Sequence, residues 1–269
     1  MQGKMQDNKE QNTTEIAQSY LSYVDECVNQ QRKKPGTASN KLVQKVAGLV
    51  SEADASEELK RIIGLETDDY IDHVVTPSEL KKRLASPRLI KLISESISNE
   101  VSQGPLYSAE AVISYQGRSR QVAFIAQDRN NENGAWMPEH HQAALKLAQA
   151  YAKRHLPIVC LIDTPGANAG AKANAENQAH SISALIAEMA QITVPTVGVV
   201  VGAGYSGGAI PFAATNMLFS VRDGLFNTIQ PPGLAAIAKR FNLSWQQCAK
   251  TIGISAYELL EQDIFDGVI

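Results

Sequence analysis

The chain has 269 residues, 44% of them apolar and 20% charged, with a net charge of −3. This is the composition of a soluble globular protein, and it offers no basic surface for a nucleic-acid partner. The longest apolar runs, such as Ile158 to Ile162, are too short to span a bilayer, so no membrane role is expected. The polar start, Met1 to Glu10, lacks the apolar core of a signal peptide. Three widely separated cysteines (Cys27, Cys160, Cys248) form neither a disulfide framework nor a zinc motif. The expectation is a cytoplasmic protein without a metal.

Residues 1–104 read as a helical N-terminal region. Ile16, Tyr20, Tyr23, Val24 and Cys27 share one helical face, and Lys33-Lys34-Pro35-Gly36 breaks the pattern. Thr76-Pro77-Ser78-Glu79 combines an N-cap, a proline at the first helical position and a capping-box glutamate. Ser86-Pro87 starts another helix, and no strand pattern stands out.

Residues 105–269 read as a second, α/β domain. Ala111 to Tyr115 and Val122 to Ile125 are predicted strands joined at Gly117. A helix from Pro138 carries the stripe Ala144, Leu147, Ala148 and Tyr151, and the pair His140-His141 falls at its start, where a solvated helix end is expected. Ile158 to Ile162 is a buried strand ending in Asp163-Thr164-Pro165-Gly166, followed by a helix with Ile182, Leu185, Ile186 and Met189 on one face. Thr196 to Val201 is a second β-branched run, and it stops at a glycine cluster, Gly202, Gly204, Gly207 and Gly208. Ala209 to Ala214 suits a helix, Met217 to Val221 and Phe226 to Ile229 suit strands, and Ser255-Ala256-Tyr257-Glu258 is another capping box. The last residues, Gly267-Val268-Ile269, look like the start of a strand. Strands alternating with helices argue for parallel pairing.

A buried strand, a glycine turn and a helix start aim free backbone N–H groups and the positive end of a helix dipole into one small space. The turn after Val201 is therefore read as an oxyanion hole, against the alternative that its glycines serve close packing alone. Gly204-Tyr205-Ser206-Gly207-Gly208 also fits the nucleophile elbow of α/β-hydrolases. All five histidines precede Ser206, which excludes the hydrolase order and leaves only Asp163, His180, Ser206. Asp163-Thr164-Pro165-Gly166 is like a GTPase switch, but no phosphate-binding loop accompanies it, so Asp163 is expected to cap a turn. Arg118, Arg120 and Arg129 are expected at solvated strand ends.

The ordered set Leu161 to Ala167, Glu188-Met189-Ala190, Val194-Pro195, Gly202 and Ser206-Gly207-Gly208-Ala209 resembles the carboxyltransferase α subunit of bacterial acetyl-CoA carboxylase, over about Ala111 to Ile269. The resemblance implies a crotonase-like fold, ββα units in a superhelix. It implies transfer of CO2 from biotin, carried on a partner biotin carboxyl carrier protein, to a coenzyme A thioester, within an oligomer that includes a β-type carboxyltransferase subunit. The backbone N–H groups of Gly207 and Gly208 would hold the biotin ureido oxygen as charge develops there. Gly166, Ala167, Gly204, Tyr205, Ser206, Ala209, Pro231 and Gly233 would line the biotin and substrate site. On this reading Gly208→Ala should keep the donor and add only a methyl group. Four segments depart from the family pattern: Asn168-Ala169-Gly170, Asn174 to Gln178, Gly202 to Tyr205, and Gln230 to Gly233. They mark a diverged member. Two other readings keep the same fold: a non-catalytic structural subunit, or another crotonase-type thioester hydrolase or decarboxylase.

Overall fold

A computed structural model describes residues 48–80 and 83–269. The helical face expected over Ile16 to Cys27 and the break at Lys33 to Gly36 lie outside the described residues. Helix α1 (Glu52–Gly64) opens on Ser51, whose Oγ accepts the N–H of Asp54 at 3.1 Å. Helix α2 (Thr67–Tyr70) runs through a π-helical turn (Ile71–Val75) into α3 (Thr76–Glu79). The capping box expected at Thr76 does not form, because Val75 is already helical and Thr76 sits inside a running helix. Pro77 has no N–H to give the turn before it, and that turn is the π-helical one. Helix α4 (Ser86–Ile93) starts at Ser86-Pro87, as its sequence predicts.

The expectation of helices alone up to residue 104 is corrected by β1 (Ser96–Gln103), which pairs antiparallel with β2 (Leu106–Tyr115). Nearly every residue of β1 is exposed, so it shows no apolar alternation. It is an edge strand held by its neighbour's backbone. β2 turns through Gln116 and Gly117, both at positive φ, into antiparallel β3 (Arg118–Gln127). Positive φ at both central residues is what a two-residue hairpin with the native strand twist requires.

From β3 onward the pairing is parallel and the connections are helical, save the short turn from β6 to β7. The order is α5 (Pro138–Lys153), β4 (Ile158–Thr164), α6 (Ala171–Ala175), α7 (Gln178–Gln191), β5 (Thr196–Tyr205), α8 (Ser206–Ala213), β6 (Met217–Ser220) and β7 (Leu225–Asn227). Then come α9 (Pro231–Ile237), α10 (Trp245–Ile252), α11 (Ala256–Glu261) and β8 (Gly267–Val268). Helix α11 has the expected capping box between Ser255 and Glu258. The strands form one mixed sheet in the order β1-β2-β3-β4-β5-β6-β8. β6 pairs with the first half of β5, at Val197 to Val200, and β7 with its last residues, Ala203 to Tyr205.

The sheet is buried on both faces at its centre, which is why β4 and β5 read as unbroken apolar runs. Ala109, Ala111, Val122, Phe124, Ala126, Leu161 and Val201 pack with Ile90 of α4. The alternate residues, among them Ile125, Ile158, Cys160 and Ile162, pack with Ala144, Ala148 and Tyr151 of α5 and Leu185 and Met189 of α7.

Candidate active site

The C-terminal ends of β4 and β5 carry two turns that touch. β5 stays extended through Tyr205 (φ −119, ψ 145) and passes into α8 at Ser206, which takes a positive φ of 57°. No side chain caps this helix start. The N–H groups of its first turn, at Ser206, Gly207 and Gly208, therefore lack the acceptors that a helix interior supplies. Ser206 and Gly207 are half-buried, whereas Gly208 is buried.

The neighbouring turn sets the form of this one. Thr164 Oγ1 donates to the Gly134 carbonyl at 2.6 Å and accepts the Gly166 N–H at 3.1 Å. Gly166, at φ 125°, then lies under Tyr205 and Ser206. A Cβ on Gly208 would fall 2.7 Å from the Gly166 carbonyl carbon and 2.9 Å from the Ala167 nitrogen. The expectation that alanine at 208 is a mild change is therefore corrected: the obstacle is backbone, which cannot give way. Gly207 differs, since a Cβ there would meet only Ile182, whose Cδ1 lies 2.7 Å away at the end of a flexible side chain.

Asp163 is 4% exposed. Its Oδ1 accepts the Ala203 N–H at 3.2 Å and lies 3.7 Å from Arg129 Nη1. Burial pushes its carboxyl above the usual range, and Arg129 opposes that. Gly202 has no side chain because a Cβ would fall 2.2 Å from this carboxylate. Asp163 is thus not the turn cap expected: its carboxylate ties the end of β4 to Ala203 of β5, and Arg129 pairs with it instead of ending in solvent. His180 is exposed. Among the described residues no histidine hydrogen-bonds Ser206, so the Asp163, His180, Ser206 order assembles no triad.

The other residues expected at the site fall in two groups. Ala167, half-buried, bridges Trp136, and Gln230 Nε2 donates to the Pro165 carbonyl at 2.7 Å, which brings the segment leading into Pro231 to the same rim. Gly204, Tyr205 and Ala209 are instead buried, Gly204 between Ile162 and Phe226. Gly233 lies in the first turn of α9 against Ile229.

Three residues at the turn escaped sequence reading. Gln127 ends β3 wholly buried; its Oε1 accepts the Asp163 N–H at 3.1 Å and its Nε2 donates to the Gly208 carbonyl at 2.7 Å. The solvated helix end expected at His140-His141 is corrected, since both rings are buried, at 4% and 0% exposure. The helical stripe of Ala144, Ala148 and Tyr151, extended back one turn, lands on them. His141 packs edge-on to Trp136 with ring centroids 5.4 Å apart, and its Nδ1 is 3.1 Å from the Met137 carbonyl. Burial pushes it down to about 4, so it is neutral at physiological pH. Its Nε2 is buried without a hydrogen-bond partner among the described residues. Pro211 is the third: the donor that would bond the Gly207 carbonyl in α8 is position 211, which has no N–H.

The fold is α/β, a mixed sheet covered by helices with an uncapped glycine turn at its parallel rim, and its structural neighbours are crotonase-like carboxyltransferases. The chain belongs to the acetyl co-enzyme A carboxylase carboxyltransferase-like family, whose model matches residues 113–269. It is 34% identical over 158 residues to the acetyl-coenzyme A carboxylase carboxyl transferase subunit alpha of Staphylococcus epidermidis, covering 56% of this chain and 50% of that protein. The chain spans about half the length of the curated relatives it matches. In fold it is similar to the transcarboxylase 12S core solved with hydrolysed methylmalonyl-coenzyme A (TM-score 0.63, 19% identity, 76% of this chain and 40% of that one). It is also similar to the geranyl-CoA carboxylase beta subunit of P. aeruginosa (TM-score 0.59, 16% identity, 86% and 51%). Among the described residues no helix is long and apolar enough to cross a membrane.

Proposed function

We propose that the chain is a subunit of a biotin-dependent acyl-CoA carboxyltransferase and that its chemistry rests on backbone donors at the start of α8. The observation that carries this reading is the turn itself. Ser206, Gly207 and Gly208 open a helix with no side-chain cap, and glycines at 166 and 208 let this helix start and the β4 turn meet backbone to backbone. Such a site suits an anion that develops during reaction, because fixed dipoles need no reorganisation as charge appears. When bound, carboxybiotin supplies the CO2 and a ring nitrogen able to take the α-proton of the acyl-CoA. This chain's part is to hold the ureido oxygen with the Gly207 and Gly208 N–H groups. Gly166 and Ala167 form the facing wall, and the Gln230 to Gly233 segment borders it. The carrier protein brings biotin, and a β-type subunit holds the thioester oxygen, so the site is completed between subunits.

The test is co-purification with a β-type partner, followed by transfer from carboxybiotin to a panel of acyl-CoA thioesters. Transfer by the pair and none by the isolated chain is expected. No transfer by the pair with any thioester would overturn the catalytic reading, and robust transfer by the isolated chain would overturn the need for a partner. Ser206→Ala should keep activity within about tenfold, since no side-chain nucleophile is involved. Covalent capture of Ser206 by a fluorophosphonate would favour a serine hydrolase instead.

A further inference from the structure

A helix start can present its N–H groups usefully only if something fixes its rotation, and α8 has no side-chain cap to do so. Gln127 is placed for that task. It reaches across from the end of β3, wholly buried, and its single carboxamide bonds two backbones. The Asp163 N–H can only donate and the Gly208 carbonyl can only accept, so the amide has one orientation: Oε1 toward Asp163 at 3.1 Å and Nε2 toward Gly208 at 2.7 Å. The first contact holds the strand that leads into the Gly166 turn, and the second holds Gly208, the residue that abuts that turn. No charged side chain of this length can do both, because a carboxylate accepts at both ends and an ammonium donates only.

We infer that Gln127 is a positioning residue, which sets the Gly207–Gly208 donors against the Gly166–Ala167 wall through its bond to the Gly208 carbonyl. This deepens the proposed function and rests on the turn being an oxyanion site. Removing the bond leaves the start of α8 held by its packing alone, so the donors lose alignment with the developing charge while ground-state binding is little changed. The loss should therefore appear in kcat, at about tenfold, below the 10²–10³ expected for deleting a donor outright.

The sequence supplies its own probe. Gly207–Gly208 is the one adjacent glycine pair in the chain, so glycine labelled with carbonyl 13C and 15N gives a single 13C–15N correlation, joining the Gly207 carbonyl to the Gly208 amide. Gln127→Met keeps the length and loses both bonds. Gln127→Glu, measured at a pH where its carboxyl is ionised, keeps the acceptor for the Asp163 N–H and loses the donor to Gly208. The inference expects that correlation to shift in both variants, and kcat of the assembled pair to fall in both with KM unchanged. A shift and a kcat loss in Gln127→Met but wild-type behaviour in Gln127→Glu would show that Gln127 serves only β4, and would overturn it. If the buried carboxylate unfolds the chain, folded Gln127→Met decides alone, and an unmoved Gly208 amide there contradicts the inference. Absence of transfer by the wild-type pair would count against the proposed function, while the correlation still settles what Gln127 holds.

Discussion

In the antiparallel half of the sheet, polar side chains hold the chain in register. Glu110 of β2, 2% exposed, accepts from Asn99 at 2.9 Å, from Gln121 at 3.1 Å and from both terminal nitrogens of Arg154, the residue that closes α5. In the parallel half, close packing at glycines does so. Gly208 abuts the Gly166–Ala167 peptide, Gly202 admits the Asp163 carboxylate, and Gly204 lies between Ile162 and Phe226. The Arg154 side chain is exposed, so water can replace its bonds, whereas the packing at Gly208 has no slack. The half carrying the candidate site is thus the half where a single methyl group matters.

The largest expected effect follows from that contrast. Gly208→Ala should destabilise by about 2–3 kcal/mol, the cost of overpacking a site that cannot yield, partly offset by better helix propensity. Thermal and denaturant unfolding measure it, and a melting temperature unchanged from wild type would show that the Gly166 turn is softer than its geometry suggests.

A smaller, pH-dependent loss is expected at the antiparallel edge. The Arg154 donors hold the Glu110 carboxyl below its usual value of 4.5. A carboxylate with a lowered folded pKa adds stability that is present above its unfolded value and is lost as pH falls through the folded one. Arg154→Met should therefore lower the melting temperature near neutrality, with the deficit shrinking as pH drops below about 4.5. A deficit equal at pH 7 and pH 3 would mean that the arginine acts by packing alone.

The smallest effect is expected at Gly207→Ala. The methyl displaces only the tip of Ile182, and the helix gains about 1 kcal/mol of propensity, so stability should stay within about 1 kcal/mol of wild type. A loss as large as that at Gly208 would erase the distinction between the two glycines.

These contrasts also explain which features the sequence made legible. Strands β4 and β5 were visible because burial on both faces leaves continuous apolar runs, each stopped by a turn. β1 was not, since Ser96 to Gln103 is almost wholly exposed and is a strand only by virtue of pairing with β2. Thr76 to Glu79 carries a helix-start signature inside a helix that already runs through Val75, a case of context overriding a local signal. At the site, the glycine turn was legible and its supports were not. Gln127 looks like any polar residue at a strand end, and only the folded chain brings Gly208 and Asp163 to its two ends. His141 left a fainter mark in the helical stripe of α5. The four-residue spacing of Gly207 and Pro211, which leaves one carbonyl without a helical donor, stood in the sequence throughout.

The central claim is that a backbone N–H in this turn stabilises developing charge. The direct measurement replaces the Gly208 amide with an ester, using glycolic acid in place of glycine, so that the N–H is lost with no Cβ added. With the chain folded and assembled with its partner, kcat for carboxyl transfer should fall by about 10²–10³. An ester-bearing chain that folds, assembles and turns over at the wild-type rate would contradict the account.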